Sequence, residues 1–374
     1  MSINTSKERF LGDRWFKQHC APPGWDCHMR KNELSPYFAA RGFKVPMTYD
    51  AFFSAYNGIE SDRYLSPDLY FMYVVPALNR MEFRKAYSDK SFYPVLFPGI
   101  RQPEIVVICA SGRYYDRLRA PVSKEYAVNL CLSEPGSLIV KPSIDTGEGV
   151  GVDLLDTGSA EGVNKVFSER ECGAGFIVQR FFKQHTALNR INASSVNTMR
   201  LFTYRRQNGE IVNVWRQNFL RFGGTGAWKD NVSCDGGFCH VHEDGMLDGK
   251  VLTKAVVGAV PFGDRFPFKP FAIPSFDRAV DFVKELHSRL LYFDSIGWDI
   301  AIAEDGEPCL IEFNIDANLR SAQMIGGPMF GEYIDEVMDR IESVKRVHIG
   351  CDVNVFRHGY DRWTQTEGPE YDVL

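Results

Sequence analysis

Apolar and polar residues alternate on both sides of Asp305-Gly306 and predict a β-hairpin over residues 296–316, IGWDIAIAEDGEPCLIEFNID. An Asp-Gly pair between two alternating runs is a strong signal of a two-residue turn. Counting outward from that turn places Asp299 directly opposite Glu312. Because successive side chains of a strand point to opposite faces, the two carboxylates share one face of the hairpin.

The facing carboxylates indicate a cation site. In the register with Glu304 opposite Glu307, the side chain of Asn314 lies on the same face. Directly opposed residues have Cβ atoms roughly 4.5–5.5 Å apart, where two carboxylates repel each other. Mg²⁺ binds carboxylate and amide oxygens, so the sequence predicts Asp299, Glu312 and Asn314 as its ligands. The alternative is a surface hairpin with two solvated acids, which the apolar flanking residues disfavour.

Strand and helix patterns elsewhere predict an α+β fold. Strand signals cover residues 104–111, 137–143, 176–182, 196–206 and 210–223, and an Asn-Gly hairpin turn joins the last two. Amphipathic patterns predict helices over residues 277–293 and 327–344. Residues 1–85 are rich in aromatic residues at helical spacing, which predicts a helical cap packed on the core.

Composition narrows the functional classes. The chain has 374 residues, of which 44% are hydrophobic and 24% charged, as in a soluble protein of two or three subdomains. Its net charge of −5 gives no support to nucleic-acid binding. No apolar run is long enough for a membrane span, and the start has no signal-peptide pattern. Nine cysteines without regular spacing indicate reduced thiols in a cytoplasmic protein.

Residues 138–156, LIVKPSIDTGEGVGVDLLD, have the composition of a phosphate-binding loop. An apolar strand ends at Lys141 and leads into a loop with Gly147, Gly149 and Gly151. Glycines let backbone N–H groups approach phosphate oxygens, and a lysine neutralises their charge. The loop is not a Walker A motif, which needs GKS or GKT before a helix. A flexible hairpin loop has the same composition, and the downstream cation site favours the phosphate interpretation.

A second group of polar residues lies on the hairpin around Asn208-Gly209. Its register places four side chains on one face: Thr198, Arg200, Gln217 and Arg221. Two neighbouring arginines on an inward face would suit an anion in transit, such as an acyl phosphate or a γ-phosphate. By periodicity alone, exposed arginines on a half-solvated sheet are equally compatible with the pattern.

The order of these motifs resembles the ATP-grasp superfamily, and most of all its sugar-transfer-associated subgroup. Lys90 comes first, then Lys141 with its glycine loop, then FIVQRFF, and finally Asp299 and Glu312-x-Asn314. The resemblance to the subgroup covers about residues 65–345 and is carried by YVVPALNR, SDKSFYPVLF, INASSVNTMRLFTYR, the Arg221–Gly237 loop and IGWDIAIAEDGEPCLIEFN. The ordered set is specific, whereas each motif alone is not.

The resemblance implies an ATP-grasp fold, in which two α+β subdomains clamp ATP. We expect a mostly helical region over residues 1–85, a small subdomain with the nucleotide hinge over 86–183, a C-terminal subdomain with the metal hairpin over 184–350 and a polar tail over 351–374. Members of the superfamily activate a carboxylate as an acyl phosphate and pass it to an amine or a similar nucleophile.

By position, the resemblance also implies the residues of the site. The implied ATP contacts are Lys90, Lys141, Ser143, Gly147, Glu148, Gly149, Val150, Gln179, Arg180, Phe181, Phe182 and His185. The two lysines would contact the phosphates, the glycine loop would close over them, and residues 179–182 would form the adenine hinge. The three hairpin ligands would hold one or two Mg²⁺ ions. Arg200 would stabilise charge on the transferred phosphoryl group, with Arg221 as a second catalytic residue.

Two positions depart from the family pattern. Many relatives have a glutamate where Gln179 stands and a second one shortly afterwards for the ribose hydroxyls, whereas Gln184 and His185 follow here. D-alanine–D-alanine ligase-like members carry an arginine two residues before the first metal aspartate, where this chain has Gly297. One of the two arginines on the neighbouring hairpin would then take that role.

The sequence therefore predicts an ATP-dependent ligase that joins a small-molecule carboxylate to an amine, thiol or hydroxyl through an acyl phosphate, in polysaccharide or secondary-metabolite biosynthesis. Two alternatives stay open. One is an ATP-grasp kinase that phosphorylates a small-molecule hydroxyl, and the other is a non-catalytic ATP-binding partner of a glycosyltransferase system. The sequence identifies neither substrate, since scattered loop residues shape the acceptor pockets of such folds.

Overall fold

Two antiparallel sheets form the frame of the protein in the computed structural model, which describes residues 29–144, 151–171, 173, 175–224, 226–227, 236–253, 260–261, 271–317 and 319–342. The first sheet contains β1 (Ile105–Ala110), β2 (Arg113–Asp116), β3 (Pro121–Val122), β4 (Leu138–Pro142), β5 (Asp153–Leu155) and β6 (Phe176–Arg180). Its six strands are ordered β3-β2-β1-β6-β4-β5.

The second sheet has eight strands and contains the predicted hairpin. It is built from β7 (Thr198–Arg205), β8 (Ile211–Asn213), β9 (Phe219–Phe222), β10 (Gly237–Val241), β11 (Leu247–Thr253), β12 (Val260–Pro261), β13 (Ser295–Ile302) and β14 (Pro308–Asn314). The order is β12-β11-β10-β9-β7-β13-β14, with β8 paired to β7. The hairpin strand β13 therefore lies directly beside β7, which carries Arg200.

Helices pack on both sheets, and the combination confirms the predicted α+β class. The α-helices are Pro36–Ala39, Thr48–Asn57, Pro67–Leu69, Val75–Leu78, Arg84–Tyr87, Tyr93–Leu96, Lys124–Ser133, Ala160–Arg170, Thr186–Asn189, Phe276–Ser288, Leu319–Gly326 and Ile334–Glu342. A π-helical turn covers Tyr70–Val74, and 3-10 turns cover Met81–Phe83, Lys90–Phe92, Trp215–Gln217 and Gly331–Tyr333. Within the described residues, no helix is both long and apolar enough to cross a membrane.

Most predicted elements are confirmed, with shifted ends. The strand predicted over 210–223 is interrupted, because Trp215–Gln217 form a 3-10 turn between β8 and β9. The helix predicted over 327–344 is shorter and covers Ile334–Glu342. Residues 29–85 are mostly helical, as predicted. Three parts of the sequence predictions lie outside the described residues: residues 1–28, the loop 145–150 and the polar tail 351–374.

The β13–β14 hairpin places Asp299 opposite Glu312 as predicted, but its turn differs. Ala303, not Glu304, pairs with Glu307, whose carbonyl accepts the Ala303 N–H at 2.9 Å. The loop is therefore one residue longer than a two-residue turn, and its last residue is a glycine with a φ of +82°. A bulge next to Asp299 shifts the register by one residue and restores the predicted pair.

The two faces of the second sheet enter different cores. One face packs against the N-terminal helices and the helices of residues 319–342, and it includes Phe202. The other face packs against the helix Phe276–Ser288 and includes the fully buried Trp298. Because Asp299 follows Trp298 on the strand, its side chain points to the first face, toward the N-terminal helices.

Asn79 connects the N-terminal helices to the base of the hairpin. Its buried Nδ2 donates to the carbonyl oxygens of Ser295 at 2.8 Å and Ile315 at 2.6 Å. Its side-chain oxygen accepts from the N–H groups of Asp294 at 2.9 Å and Ser295 at 3.0 Å. One amide thus fixes the start of β13 relative to the end of β14, the two strands that carry the facing carboxylates.

We expect Asn79→Ala to lower the free energy of unfolding by about 2–4 kcal/mol, because it leaves several buried backbone groups without partners. Urea denaturation measures the loss. Asn164→Ala is the matched control, since the Asn164 amide is exposed and bonds the Ala160 carbonyl one helical turn earlier. We expect the control to change stability by less than about 0.5 kcal/mol. Equal losses in the two variants would contradict a clamping role for Asn79.

Candidate functional site

One face of the second sheet brings together charged residues from four strands. Asp299 on β13 pairs with Glu312 on β14 on one side and with Arg200 on β7 on the other. Arg221 on β9 pairs with Thr198, two residues before Arg200 on β7. Residues paired across strands and residues two apart on a strand share a face. The predicted common face of Thr198, Arg200 and Arg221 is therefore confirmed.

The prediction that Gln217 and Arg221 lie on one continuous strand is wrong. Gln217 lies in the 3-10 turn before β9, and its Nε2 donates to the carbonyl oxygen of Pro328 at 3.1 Å. The turn interrupts the alternation of side chains, so counting by twos back from Arg221 fails at this point.

Asp299 is held by the two arginines. Its side chain is only 3% exposed. Arg200 donates Nε–H to one carboxylate oxygen in a short bond and Nη2–H to the other at 2.9 Å. Arg221 donates Nη2–H to that second oxygen at 3.0 Å. Burial acts to raise the pKa of Asp299, but the two guanidinium groups outweigh it and hold the pKa below its ordinary value, so the carboxylate is ionised.

Glu312 is paired with Lys90. The Lys90 Nζ and Glu312 Oε1 atoms lie 2.9 Å apart, and the two side chains are 6% and 29% exposed. The backbone N–H of Lys90 donates to the carbonyl oxygen of Ser143 at 2.8 Å, which fixes the lysine beside the end of β4. Each facing carboxylate therefore has its own protein cation. The prediction of a divalent cation depended on repulsion between Asp299 and Glu312, and lysine and arginine charges already offset that repulsion.

Lys141 on β4 completes the predicted lysine pair. It is buried, and the structure places no carboxylate of a described residue within ion-pair distance of its ammonium group. Burial, and then the positive charge of Lys90, lowers the pKa of Lys141 to about 8, against the attraction of Glu312. A buried ammonium group without a close counter-ion is stabilised by an anionic ligand, which is what the predicted phosphate contact requires.

We expect Lys141→Met to raise the free energy of unfolding at pH 7 by about 1–3 kcal/mol and to weaken ATP binding. The folded-state pKa of about 8 lies below the ordinary value of 10.5, so the unfolded chain binds more protons between these pH values. Wild-type stability should therefore rise from pH 8 toward pH 10, and the advantage of Lys141→Met should shrink over that range. Urea denaturation at several pH values and calorimetry with ATP measure both effects.

Lys165→Met is the control for this prediction, since Lys165 is exposed on the helix Ala160–Arg170. We expect it to leave both the pH dependence of stability and the ATP affinity unchanged. Unchanged ATP affinity in Lys141→Met would remove Lys141 from the phosphate site.

The predicted adenine hinge, residues 179–182, lies at the end of β6 and just beyond it. Gln179 is a buried residue of β6, and its Nε2 donates to the carbonyl oxygen of Pro103 at 3.2 Å. The guanidinium of Arg180 binds Glu134 at 2.5 Å through Nε and makes a short ion pair with Glu104. The backbone N–H of Arg180 donates to the carbonyl oxygen of Glu104 at 3.0 Å, and that of Phe181 donates to the carbonyl oxygen of Ser137 at 2.9 Å, so the backbone role that the resemblance implies stays a prediction.

The remaining predicted nucleotide contacts surround this strand. Ser143 is buried, and its N–H donates to the carbonyl oxygen of Gly175 at 3.1 Å. Phe181 and Phe182 are half-buried just beyond β6. His185 caps the short helix Thr186–Asn189. Four predicted contacts lie outside the described residues: Gly147, Glu148, Gly149 and Val150.

Two of the three predicted ligands, Glu312 and Asn314, fit a Mg²⁺ site at the end of β14. Glu312 gives one oxygen to Lys90, and its other oxygen has no protein partner in the described part of the chain. The amide nitrogen of Asn314 is buried and has no hydrogen-bond partner among the described residues. This second Glu312 oxygen and the Asn314 amide oxygen suit a hard cation, and the buried amide N–H group of Asn314 suits an oxygen of a phosphate that the cation also binds. Asp299, with both oxygens on guanidinium groups, fits this set poorly.

Gln184 and Asn192 hold the loops behind the site, a supporting role that their positions in the sequence did not predict. Gln184, considered above for the ribose, donates Nε2–H to the carbonyl oxygens of Asn192 at 2.8 Å and Ser195 at 2.9 Å. Asn192 donates Nδ2–H to the carbonyl oxygen of Gly223 at 2.9 Å, at the start of the glycine-rich loop after β9. The run INASSVN was the available signal for Asn192, since Asn and Ser side chains bond readily to loop backbone, whereas Gln184 lies outside that run.

Comparisons with known proteins place the chain in a family. A family model described as sugar-transfer associated ATP-grasp matches residues 76–338. The solved structure of D-cycloserine synthetase DcsG is 16% identical, with a TM-score of 0.40, over 68% of this chain and 70% of that chain. The ATP-grasp ligase PsnB with its minimal precursor is 14% identical, with a TM-score of 0.38, over 68% and 60%. D-alanyl-alanine synthetase A from Vibrio cholerae is 12% identical, with a TM-score of 0.39, over 68% and 66%. Among curated proteins, none matches the sequence.

Proposed function

Because the chain belongs to the sugar-transfer-associated ATP-grasp family, we propose that it is an ATP-dependent ligase. It would activate a small-molecule carboxylate as an acyl phosphate and pass the acyl group to an amine, thiol or hydroxyl. One observation supports this most: four cationic side chains surround two carboxylates. They are Lys90, Lys141, Arg200 and Arg221, around Asp299 and Glu312. The excess of positive charge suits a triphosphate and a carboxylate that must approach each other.

Phosphoryl transfer needs positioning and charge neutralisation rather than a nucleophilic side chain. We assign the ATP phosphates to Lys90 and Lys141, which lie on the side of the first sheet. A substrate carboxylate oxygen attacks the γ-phosphorus, and ADP leaves with the electron pair of the broken bond. Arg200 and Arg221 neutralise the charge that spreads over the transferred phosphoryl group. The amine, thiol or hydroxyl then attacks the acyl carbon, and inorganic phosphate leaves.

We assign Mg²⁺ to Glu312 and Asn314, where it would supply positive charge to the ATP phosphates. Lys90 would then exchange its bond with Glu312 for a bond with a phosphate oxygen. Within this proposal, residues 86–183 form the small subdomain, residues 184–350 form the C-terminal subdomain, and adenine lies against the backbone of residues 179–182.

Trapping with hydroxylamine tests the ligase proposal. The protein is incubated with MgATP, a panel of small carboxylic acids and hydroxylamine, which converts an acyl phosphate to a hydroxamate. We expect hydroxamate, ADP and free phosphate in equal amounts for the acids that are substrates. The same panel without hydroxylamine should give far less phosphate.

Two other results would support the alternatives. A stable phosphorylated product from a hydroxyl compound, without free phosphate, would identify a kinase. ATP binding without turnover in any mixture of acids and acceptors would identify a non-catalytic nucleotide-binding protein.

A further inference from the structure

The Arg200–Asp299–Arg221 cluster is a carboxylate shared by two arginines from different strands. Asp299 accepts two hydrogen bonds from Arg200 and one from Arg221. Arg221 also donates to the Thr198 hydroxyl at 3.0 Å, which fixes its guanidinium from a second side. The three charged groups have a net charge of +1, so the cluster attracts an additional anion although it already contains a carboxylate.

Arg200 retains a free edge. Its Nε and Nη2 atoms bond to Asp299, whereas Nη1 has no hydrogen-bond partner among the described residues. Nη1 is also absent from the buried polar atoms that lack a partner in the described part of the chain, so it reaches solvent. A guanidinium fixed along one edge and open along another is preorganised to bind an oxyanion.

Gly297 makes room for the Arg200 side chain. Gly297 pairs with Phe202 on β7, two residues beyond Arg200. A Cβ atom at Gly297 would lie 3.2 Å from Arg200 Cδ and 2.7 Å from the Cβ of Ala317. The arginine stem therefore passes through a gap that any side chain at position 297 would narrow.

The arginine cluster lies next to the Lys90–Glu312 ion pair, because Asp299 pairs with Glu312 across β13 and β14. Lys90 bonds Glu312 on β14, whereas the arginines belong to β7 and β9, two and three strands further along the sheet. Neighbouring strands lie about 4.8 Å apart, so the backbone of β7 lies roughly 10 Å from β14, but both guanidinium groups reach Asp299 on β13, the strand beside β14. Phosphates bound by the lysines and an anion bound by the arginines can thus occupy adjacent positions.

We propose that Asp299 is a positioning residue rather than a metal ligand, and that it orients Arg200 and Arg221 as a clamp for the substrate carboxylate and the acyl phosphate formed from it. The inference rests on the proposed ligase function and adds to it the site of the carboxylate. It leaves the metal ion to Glu312 and Asn314, and it makes Gly297 a requirement for the position of Arg200.

Two binding measurements on the full-length protein test the clamp without any turnover. The first is Mn²⁺ affinity, by electron paramagnetic resonance, with a non-hydrolysable ATP analogue present. We expect Asp299→Asn to stay within about threefold of wild type, whereas Glu312→Gln should weaken Mn²⁺ binding by about 10–100-fold. Equal losses in the two variants would show that Asp299 is a metal ligand and would overturn the proposal.

The second measurement is calorimetry with acetyl phosphate, a minimal acyl phosphate, in the presence of MgADP. Asp299→Asn and Gly297→Ala should each weaken acetyl phosphate binding by about tenfold. The variant that carries both Asp299→Asn and Gly297→Ala should bind acetyl phosphate about as tightly as the single variant with the larger loss, because both changes act through Arg200. Additive losses would overturn the role of Gly297, and a wild-type protein that binds no acetyl phosphate would overturn the clamp. Failure to bind the ATP analogue at all would instead contradict the proposed function.

Discussion

Glu312→Gln is expected to lower turnover by about 10²–10³-fold while the apoprotein stays folded. A neutral amide cannot hold a hard cation as a carboxylate does, and it weakens the contact with Lys90, which lies 2.9 Å away. We expect apoprotein stability to fall by about 1–2 kcal/mol, since Lys90 loses a charged partner. Relief of repulsion from Asp299 should not stabilise the variant, because Arg200 and Arg221 already neutralise that carboxylate. Phosphate release and urea denaturation on one preparation measure both effects.

The matched control for Glu312→Gln lies at the other end of the same hairpin. Glu307 is an exposed acid paired with Arg278, and Glu307→Gln should leave turnover within about twofold of wild type. If Glu312→Gln turns over normally but loses several kcal/mol of stability, Glu312 is a structural partner of Lys90 and not part of a metal site.

The hairpin shows how far alternation along the chain predicts a site. The pairing of Asp299 with Glu312 was predictable, although the loop is one residue longer than its Asp-Gly signal indicates. The longer loop and the bulge next to Asp299 shift the register in opposite directions, and their effects cancel at this pair. Alternation fixes which residues share a face, but it does not show where an extra residue enters a strand.

The partners of the carboxylates were beyond sequence reasoning. Arg200 and Asp299 are 99 positions apart, and their contact depends on β7 pairing with β13 rather than with another strand. The Lys90–Glu312 bond likewise depends on how the N-terminal segment packs beside the second sheet. Local patterns placed each charged side chain on an element, whereas long-range packing decides which opposite charge neutralises it. The family resemblance predicted the fold correctly, and it did not predict the partners of Asp299.

Arg200→Ala is expected to lower kcat by about 10²–10³-fold with little change in ATP affinity. The Arg200 guanidinium bonds Asp299 and not the Lys90–Glu312 pair that we assign to the ATP phosphates, so we expect it to contribute little to the ground-state binding of ATP. Its interaction strengthens when negative charge spreads over the transferred phosphoryl group, which lowers the barrier rather than KM. Arg200→Lys should not restore kcat, because an ammonium group cannot bond both Asp299 oxygens and a ligand in one plane.

Turnover at saturating ATP and ATP affinity by calorimetry, measured on one preparation of each variant, test the role of Arg200. Arg206→Ala is the control, since Arg206 follows β7 and pairs with Glu210 and Glu336. Arg206→Ala should keep turnover and ATP affinity near wild type, which would show that the effect is specific to Arg200. If Arg200→Ala loses ATP affinity and keeps normal turnover at saturating ATP, then Arg200 binds the nucleotide in the ground state. In that case the arginine cluster belongs to the ATP phosphates, and the substrate carboxylate must bind elsewhere on the sheet.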